Sequence, residues 1–141
     1  MPQREYSSHY EKLPDGKVRC IDDEIPFEIP ANWCWCSIGD LVTIKGGKRL
    51  PVGETFSETP TSHIYIRVTE MKNNTLIDTQ LKYISEELFQ LLKNYTINDT
   101  DLYLTIAGTI GQVGVVPSKF DGMNLTENAV KLTNLKKFET N

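Results

Sequence analysis

The stretch "LTIAGTIGQVGVV", residues 104–116, places three glycines within a segment whose other residues favour β-strand. Its G-x-x-G-x-x-G spacing differs from the G-x-G-x-x-G motif of dinucleotide-binding folds, and a strand rather than a helix is predicted to follow it. The segment therefore predicts two strands joined by a tight turn with a bulge. The functional alternative is a glycine turn that lets backbone amides approach a ligand.

A second glycine-rich segment, Gly46-Gly47-Lys48, also fails the test for a phosphate-binding loop. A Walker A motif needs a glycine five residues before its Gly-Lys pair and a Ser or Thr after it. Those two places hold Val42 and Arg49. Neither glycine-rich segment predicts a nucleotide cofactor.

Short strands are predicted on both sides of the glycine turn, at 40–45, 63–71, 81–84, 101–107, 112–116 and 128–132. In "HIYIRVTEM" (63–71) strict alternation places Ile64, Ile66 and Val68 inward. The same alternation places Tyr65, Arg67 and Thr69 outward. In the strand predicted at 101–107, Leu102, Leu104 and Ile106 share one face.

One segment, "SEELFQLLKNY" (85–95), predicts a helix. Ser85 is suited to cap its N-terminus. An apolar stripe follows at i, i+3, i+4 and i+7, formed by Leu88, Leu91, Leu92 and Tyr95. Many short strands with one main helix indicate a β-rich, single-domain α+β fold.

Composition restricts the class of protein. The 141 residues carry a formal net charge of −4, with 39% hydrophobic and 24% charged residues, which is typical of one soluble globular domain. The chain shows no apolar run of membrane-spanning length and no signal peptide. Three cysteines, Cys20, Cys34 and Cys36, do not form a disulfide or zinc pattern. We therefore predict a cytoplasmic protein with reduced thiols and no membrane association.

The chain is predicted to divide into three parts. Residues 1–27 are polar, rich in acidic groups and broken by proline and glycine, so they are predicted to be an approach segment or linker. Residues 28–135 form the predicted domain, and 136–141 a tail. The domain is nearly neutral, and its densest positive charge lies at Lys45–Arg49.

No catalytic constellation is visible in the sequence. His9 and His63 lack metal-ligand spacing, and no nucleophile motif such as G-x-S-x-G is present. We expect no enzyme activity, no metal and no cofactor. The polar residues that remain are of the types that contact DNA, where Arg and Lys select guanine and Asn and Gln select adenine. The candidate DNA-binding residues are Lys45, Lys48, Arg49, Tyr65, Arg67, Thr109, Gln112 and Asn124.

Five segments, in this order, resemble the target recognition domain of a type I restriction-modification specificity subunit. They are "EIPANWCWCSIGDL" (28–41), "IKGGKRLP" (44–51), "IYIRVTEM" (64–71), "DLYLTIAGTIGQVGVV" (101–116) and "NLTENAVKL" (124–132). The resemblance implies a fold like that of DNA methylase specificity domains and a DNA-reading module without catalytic residues. It also implies that the partners are double-stranded DNA, of which one half of a bipartite target is read, and the methyltransferase and restriction subunits. A conserved helix of the family would be expected to follow the tail at 136–141.

Two other classes stay open at this point. One is a protein-interaction or self-associating β-rich domain that uses exposed strand edges. The other is a small hydrolase with an unrecognised site, which would have to join His63 with a carboxylate and a nucleophile.

Overall fold

The computed structural model describes residues 8–135. The chain divides into two compact units, Met1–Ser37 and Ile38–Asn141. The domain predicted at 28–135 begins before this division, and the tail predicted at 136–141 lies outside the described residues.

The first unit contains a small hairpin. Strand β1 (Tyr10–Lys12) pairs antiparallel with β2 (Val18–Cys20), and a 3-10 turn follows at Asp22–Glu24. The guanidinium of Arg19 donates hydrogen bonds to the carboxylates of Glu11 and Glu24. These contacts order part of the segment that was predicted as a linker.

The second unit is β-rich with few helices, which is compatible with the predicted α+β class. Its helices are α1 (Ile38–Leu41) and α2 (Glu86–Leu92), with 3-10 turns at Val68–Glu70 and Ser118–Phe120. Its strands are β3 (Thr43–Gly46), β4 (Ile64–Ile66), β5 (Met71–Lys72), β6 (Thr75–Leu76), β7 (Lys82–Tyr83), β8 (Thr96–Ile97), β9 (Leu102–Thr105), β10 (Val113–Val115), β11 (Met123–Leu125) and β12 (Ala129–Thr133).

Two four-stranded sheets organise these strands. The first has the order β10-β9-β12-β3 and is antiparallel throughout. The second has the order β7-β4-β11-β8, in which β4 and β11 run parallel and the outer pairs are antiparallel. Strands β5 and β6 form a separate antiparallel pair.

Strand β4 is covered on both of its faces. Ile64 and Ile66 belong to the larger hydrophobic cluster, as their predicted inward orientation requires. Tyr65 belongs to a second cluster with Leu88 and Leu92 of α2 and is only 4% exposed. The predicted outward orientation of Tyr65 is therefore wrong, because α2 packs over the face that alternation assigned to solvent.

Helix α2 forms where the sequence predicts it. The hydroxyl of Ser85 accepts a 3.2 Å hydrogen bond from the Leu88 backbone N–H, so the predicted cap is confirmed. Leu88 and Leu92 are buried, one turn apart on the same face. Leu91 is 64% exposed, because the helix presents a narrower apolar face than the predicted stripe.

The glycine segment forms two paired strands as predicted, but the seven-residue loop 106–112 joins them in place of the predicted tight turn. Strands β9 and β10 pair with Val113 opposite Leu104. In the connecting loop, Gly108 and Gly111 have positive φ angles of 75° and 87°, which non-glycine residues rarely adopt. The strand face assigned to Leu102, Leu104 and Ile106 is not the more buried one, because Tyr103 and Thr105 on the opposite face point into the interior.

The outer face of the antiparallel sheet carries an apolar row. The register places Val115, Leu102, Leu132 and Ile44 side by side across the four strands. Ile44 and Val115, at the two ends of this row, are exposed. Because side chains alternate along a strand, Lys45 and Lys131 fall on the other face. The polar candidates are therefore separated from this apolar row.

Candidate functional site

An open cleft of about 590 Å³ lies in the second unit, where three connecting segments meet. These segments are the loop after β3, the residues that follow β4, and the turn between β11 and β12. The polar residues that line the cleft are Arg49, Arg67, Thr69, Thr126, Glu127 and Asn128.

The loop after β3 is fixed to the sheet through its main chain. The Gly47 N–H donates to the Ala129 carbonyl at 3.2 Å, and the Lys48 N–H donates to the Leu125 carbonyl at 2.9 Å. A Cβ atom at Gly47 would lie 2.1 Å from the Thr126 carbonyl oxygen, so only glycine allows this approach. The loop is thus held at the cleft while its side chains remain available.

A buried tyrosine supports the same loop from below. The Tyr65 hydroxyl donates a 2.7 Å hydrogen bond to the Lys48 carbonyl and lies 3.4 Å from the Glu127 carboxylate. Burial raises the pKa of Tyr65 to about 12, and the negative charge of Glu127 acts in the same direction. The phenol therefore stays protonated at neutral pH and acts as a hydrogen-bond donor.

Arg49 and Glu127 form an ion pair at the cleft. The Arg49 Nε atom lies 3.2 Å from Glu127 Oε1, and the two side chains are 75% and 31% exposed. The hydroxyl of Thr126 donates a 3.1 Å hydrogen bond to Glu127 Oε2. This pair presents a cation and an anion next to each other at an accessible surface.

Arg67 also lines the cleft, but its guanidinium is already engaged. Its Nη2 atom donates to Glu70 Oε1 at 2.6 Å and to the Gln80 carbonyl at 2.8 Å. Glu70 is fully buried, whereas the Arg67 side chain is 27% exposed. Arg67 begins the 3-10 turn at Val68–Glu70, which explains why the predicted strand ends at Ile66. This position is consistent with a structural role for Arg67.

Lys45 and Lys48 supply exposed positive charge. Among the residues that the structure describes, neither lysine forms an ion pair. The Lys48 ammonium lies 5.8 Å from the centre of the Tyr95 ring, within the range of a cation–π interaction. Together with Arg49, these residues make the loop locally positive.

Asn124 lies in the interior. Its side chain is buried, and its Nδ2 group donates a 2.9 Å hydrogen bond to the carbonyl of Leu92, the last residue of α2. The register places Asn124 directly opposite Tyr65 on the parallel strands β11 and β4. Because neither side chain reaches the surface of the unit, we leave both out of the candidate DNA-binding surface.

The other two candidates belong to the glycine loop. Thr109 is exposed, and its carbonyl accepts a hydrogen bond from the Thr105 hydroxyl. Gln112 lines a separate cavity of about 330 Å³ together with Asn73 and Asn74. The base of this loop adjoins the cleft, because the N–H groups of Ile106 and Ala107 both donate to the Asn128 carbonyl. The structure thus brings Arg49, Tyr65 and Arg67 to one cleft, with Thr109 on a neighbouring loop.

Among the polar cleft residues that were not predicted as site residues (Thr69, Thr126, Glu127 and Asn128), Glu127 is the charged one. Acidic residues are not expected on a surface that binds the negatively charged DNA backbone. The contact between Glu127 and Arg49 also joins segments that are far apart in the chain. The available signal was the polar triplet Thr126-Glu127-Asn128 immediately before a predicted strand.

The residues around His63 bear on the hydrolase alternative. The His63 Nε2 atom lies 2.5 Å from Glu86 Oε2, and the ring stacks on Phe89 with a centroid separation of 4.0 Å. The pKa of Glu86 is lowered by a hydrogen bond from Gln90 and by the contact with His63. Within residues 8–135, the His63 ring makes no hydrogen bond to a hydroxyl or thiol, so the geometry provides no nucleophile at this pair.

The geometry is that of a basic loop fixed beside an open cleft on a β-rich unit with few helices. Over 120 residues the chain is 28% identical to the type I restriction enzyme EcoEI specificity subunit of Escherichia coli, and the match covers 73% of this chain. The chain spans only 18% of the length of that subunit. No family model matches the chain. Within residues 8–135, no helix has the length and apolar character needed to cross a membrane.

Proposed function

We propose that the chain is a DNA target recognition module of the kind found in type I specificity subunits. The observation that carries this proposal is the positive segment Lys45–Arg49, whose residues Gly47 and Lys48 are held by main-chain hydrogen bonds beside an open cleft of polar and apolar side chains. The distant similarity to a specificity subunit supports the same function. In this role the module positions DNA and does no chemistry of its own.

Lys45 of strand β3, with Lys48 and Arg49 of the loop that follows it, are the proposed DNA-contacting residues. Their side chains are exposed, whereas the backbone that carries them is fixed to β12 and to Leu125, the last residue of β11. Thr109 and Gln112 are proposed as further contacts from the glycine loop. Long cationic side chains neutralise phosphates, and phosphate contacts set the position of a protein on the duplex.

The module is proposed to read one half of a bipartite target. The methyltransferase and restriction subunits are its proposed partners. Within the described residues of the second unit, Arg67, Lys119 and Lys131 lie within 4 Å of carboxylates, which offset their positive charge locally. Tight binding therefore needs positive surface from those partners.

Salt titration of the isolated chain on duplex DNA tests the proposal. With two or three phosphate contacts, the slope of log affinity against log salt should be about −2 to −3. The dissociation constant at physiological salt should lie at roughly 10⁻⁴ to 10⁻⁶ M. The chain alone should neither methylate nor cut DNA when S-adenosylmethionine, Mg²⁺ or ATP is present.

A matched pair of variants locates the surface. Lys48→Gln should reduce the magnitude of the salt slope by about 0.9, the contribution of one phosphate contact. Lys119→Gln removes the same charge from an exposed lysine that lies outside the cleft, and it should leave the slope unchanged. Binding that is independent of salt, or equal losses in both variants, would contradict the proposed surface.

A further inference from the structure

We propose that Arg49 and Glu127 act together as the base-reading element of the module and select a G·C pair. This inference rests on the proposed function, and it identifies which feature of the DNA the cleft recognises. It assigns a role to Glu127, a residue whose charge opposes phosphate binding.

The first argument concerns the hydrogen-bonding groups that the ion pair leaves free. The contact between the two side chains uses Arg49 Nε and Glu127 Oε1. Arginine carries five N–H donors, so the terminal amino groups of Arg49 remain available. Each carboxylate oxygen of Glu127 accepts more than one hydrogen bond, so capacity also remains after the contacts from Thr126 and Arg49.

The second argument is complementarity to the major-groove edge of a base pair. Guanine presents two acceptors, O6 and N7, and the cytosine paired with it presents an N4–H donor. Arginine binds guanine in a bidentate manner, and glutamate accepts from cytosine N4. Arg49 and Glu127 place a donor group and an acceptor group side by side in the lining of the open cleft.

The third argument is that the pair is held in place before DNA binds. Main-chain hydrogen bonds from Gly47 and Lys48 fix the loop that carries Arg49. The Thr126 hydroxyl fixes the Glu127 carboxylate. The loop backbone is therefore already ordered in the free protein, so less conformational entropy is lost when DNA binds. This favours specific recognition.

The fourth argument is that stability does not explain the pair. An exposed ion pair contributes little to folding, because water screens the charges and both side chains lose freedom. The pair also has no net charge, so as a unit it adds nothing to phosphate attraction. What the pair presents to a ligand is therefore directional hydrogen-bonding groups rather than net charge.

Selection from a pool of randomised duplexes at low salt tests the inference with the chain as it exists. The wild-type chain should enrich a position with fixed G·C, and replacing that pair by A·T should weaken binding about 5- to 150-fold, the range of one bidentate base contact. Arg49→Ala and Glu127→Gln should lose the preference at that one position and keep any others. Glu127→Gln should also bind non-cognate DNA more tightly, because a negative charge has been removed.

A base analogue gives a second readout. Replacing the enriched guanine by 7-deazaguanine removes its N7 acceptor, and this should weaken binding by the wild-type chain but not by Arg49→Ala. Lys48→Gln is the matched control and should weaken binding equally for every sequence. All variants should keep the wild-type melting temperature, since the pair is exposed.

The outcomes separate the inference from the function on which it rests. If Arg49→Ala and Glu127→Gln change affinity uniformly across sequences, Arg49 is a phosphate contact and the inference is overturned. The same holds if the wild-type chain binds DNA with the expected salt dependence but enriches no G·C position. If the chain binds no DNA at low salt, the proposed function itself fails.

Discussion

The hydroxyl of Tyr65 and the backbone carbonyl of Lys48 are joined by a 2.7 Å hydrogen bond that links strand β4 to the loop over the cleft. Tyr65 is buried between β4 and α2, whereas Lys48 lies at the surface. The position of the loop therefore depends on a residue that solvent does not reach.

The first prediction concerns this hydrogen bond at alkaline pH. The pKa of Tyr65 is raised in the folded state from 10.0 to about 12, so folding favours the neutral phenol. The stability that the neutral Tyr65 phenol contributes is fully present below pH 10 and is lost as the pH rises from 10 towards 12. Tyr65→Phe should lower the free energy of unfolding by about 1 kcal/mol at neutral pH, and this difference from wild type should shrink above pH 10 in urea denaturation.

An exposed tyrosine provides the control for that experiment. Tyr10→Phe in the first unit should leave the pH dependence of the wild-type chain intact, because its side chain lies in solvent. If the difference in free energy of unfolding between wild type and Tyr65→Phe stays constant from neutral pH to pH 12, ionisation of this phenol is not linked to folding.

The second prediction concerns the close approach at Gly47. A Cβ atom there would lie 2.1 Å from the Thr126 carbonyl and 2.3 Å from the Leu125 carbonyl, so the backbone would have to move. Gly47→Ala should lower the free energy of unfolding by about 1–3 kcal/mol, the usual cost of overpacking. Gly46→Ala is the matched control, since a Cβ atom at Gly46 meets nothing within 4 Å. Equal urea midpoints for the two variants would mean that the loop is not fixed as described.

The third prediction concerns Arg67, which the sequence analysis assigned to DNA binding. Arg67→Ala leaves the fully buried carboxylate of Glu70 without its cation and should lower the free energy of unfolding by about 3 kcal/mol. Lys119→Ala breaks an exposed ion pair with Asp78 and should cost less than about 1 kcal/mol. If Arg67→Ala keeps the wild-type urea midpoint but binds DNA more weakly, Arg67 acts in recognition and the structural role is wrong.

Local rules predicted much of this fold from the sequence. The alternation of apolar and polar residues predicted the inward orientation of Ile64 and Ile66. The capping residue Ser85 predicted the start of α2, and the glycine-rich segment predicted the connection between β9 and β10. Each of these features depends on residues close together in the chain, where backbone geometry and hydrogen bonding decide the outcome.

The errors arise where distant segments meet. Tyr65 is buried because α2 covers β4, and Asn124 is buried because β11 pairs in parallel with β4. Alternation within one strand contains no information on either contact. The sequence analysis also missed Glu127 because a distant contact defines its role. The pairing of β12 with β3 brings Glu127 next to Arg49.

The main-chain attachment of the loop has a consequence for how such a module changes over evolution. The hydrogen bonds that hold Gly47 and Lys48 use only the backbone atoms of these two residues, including the Lys48 carbonyl that Tyr65 contacts, so they are indifferent to the side chains at positions 48 and 49. A mutation at either position changes what the surface presents while the scaffold keeps its geometry. New binding preferences are therefore accessible by single substitutions without compensating changes in the core, and the same two positions are the natural starting points for retargeting the module by design.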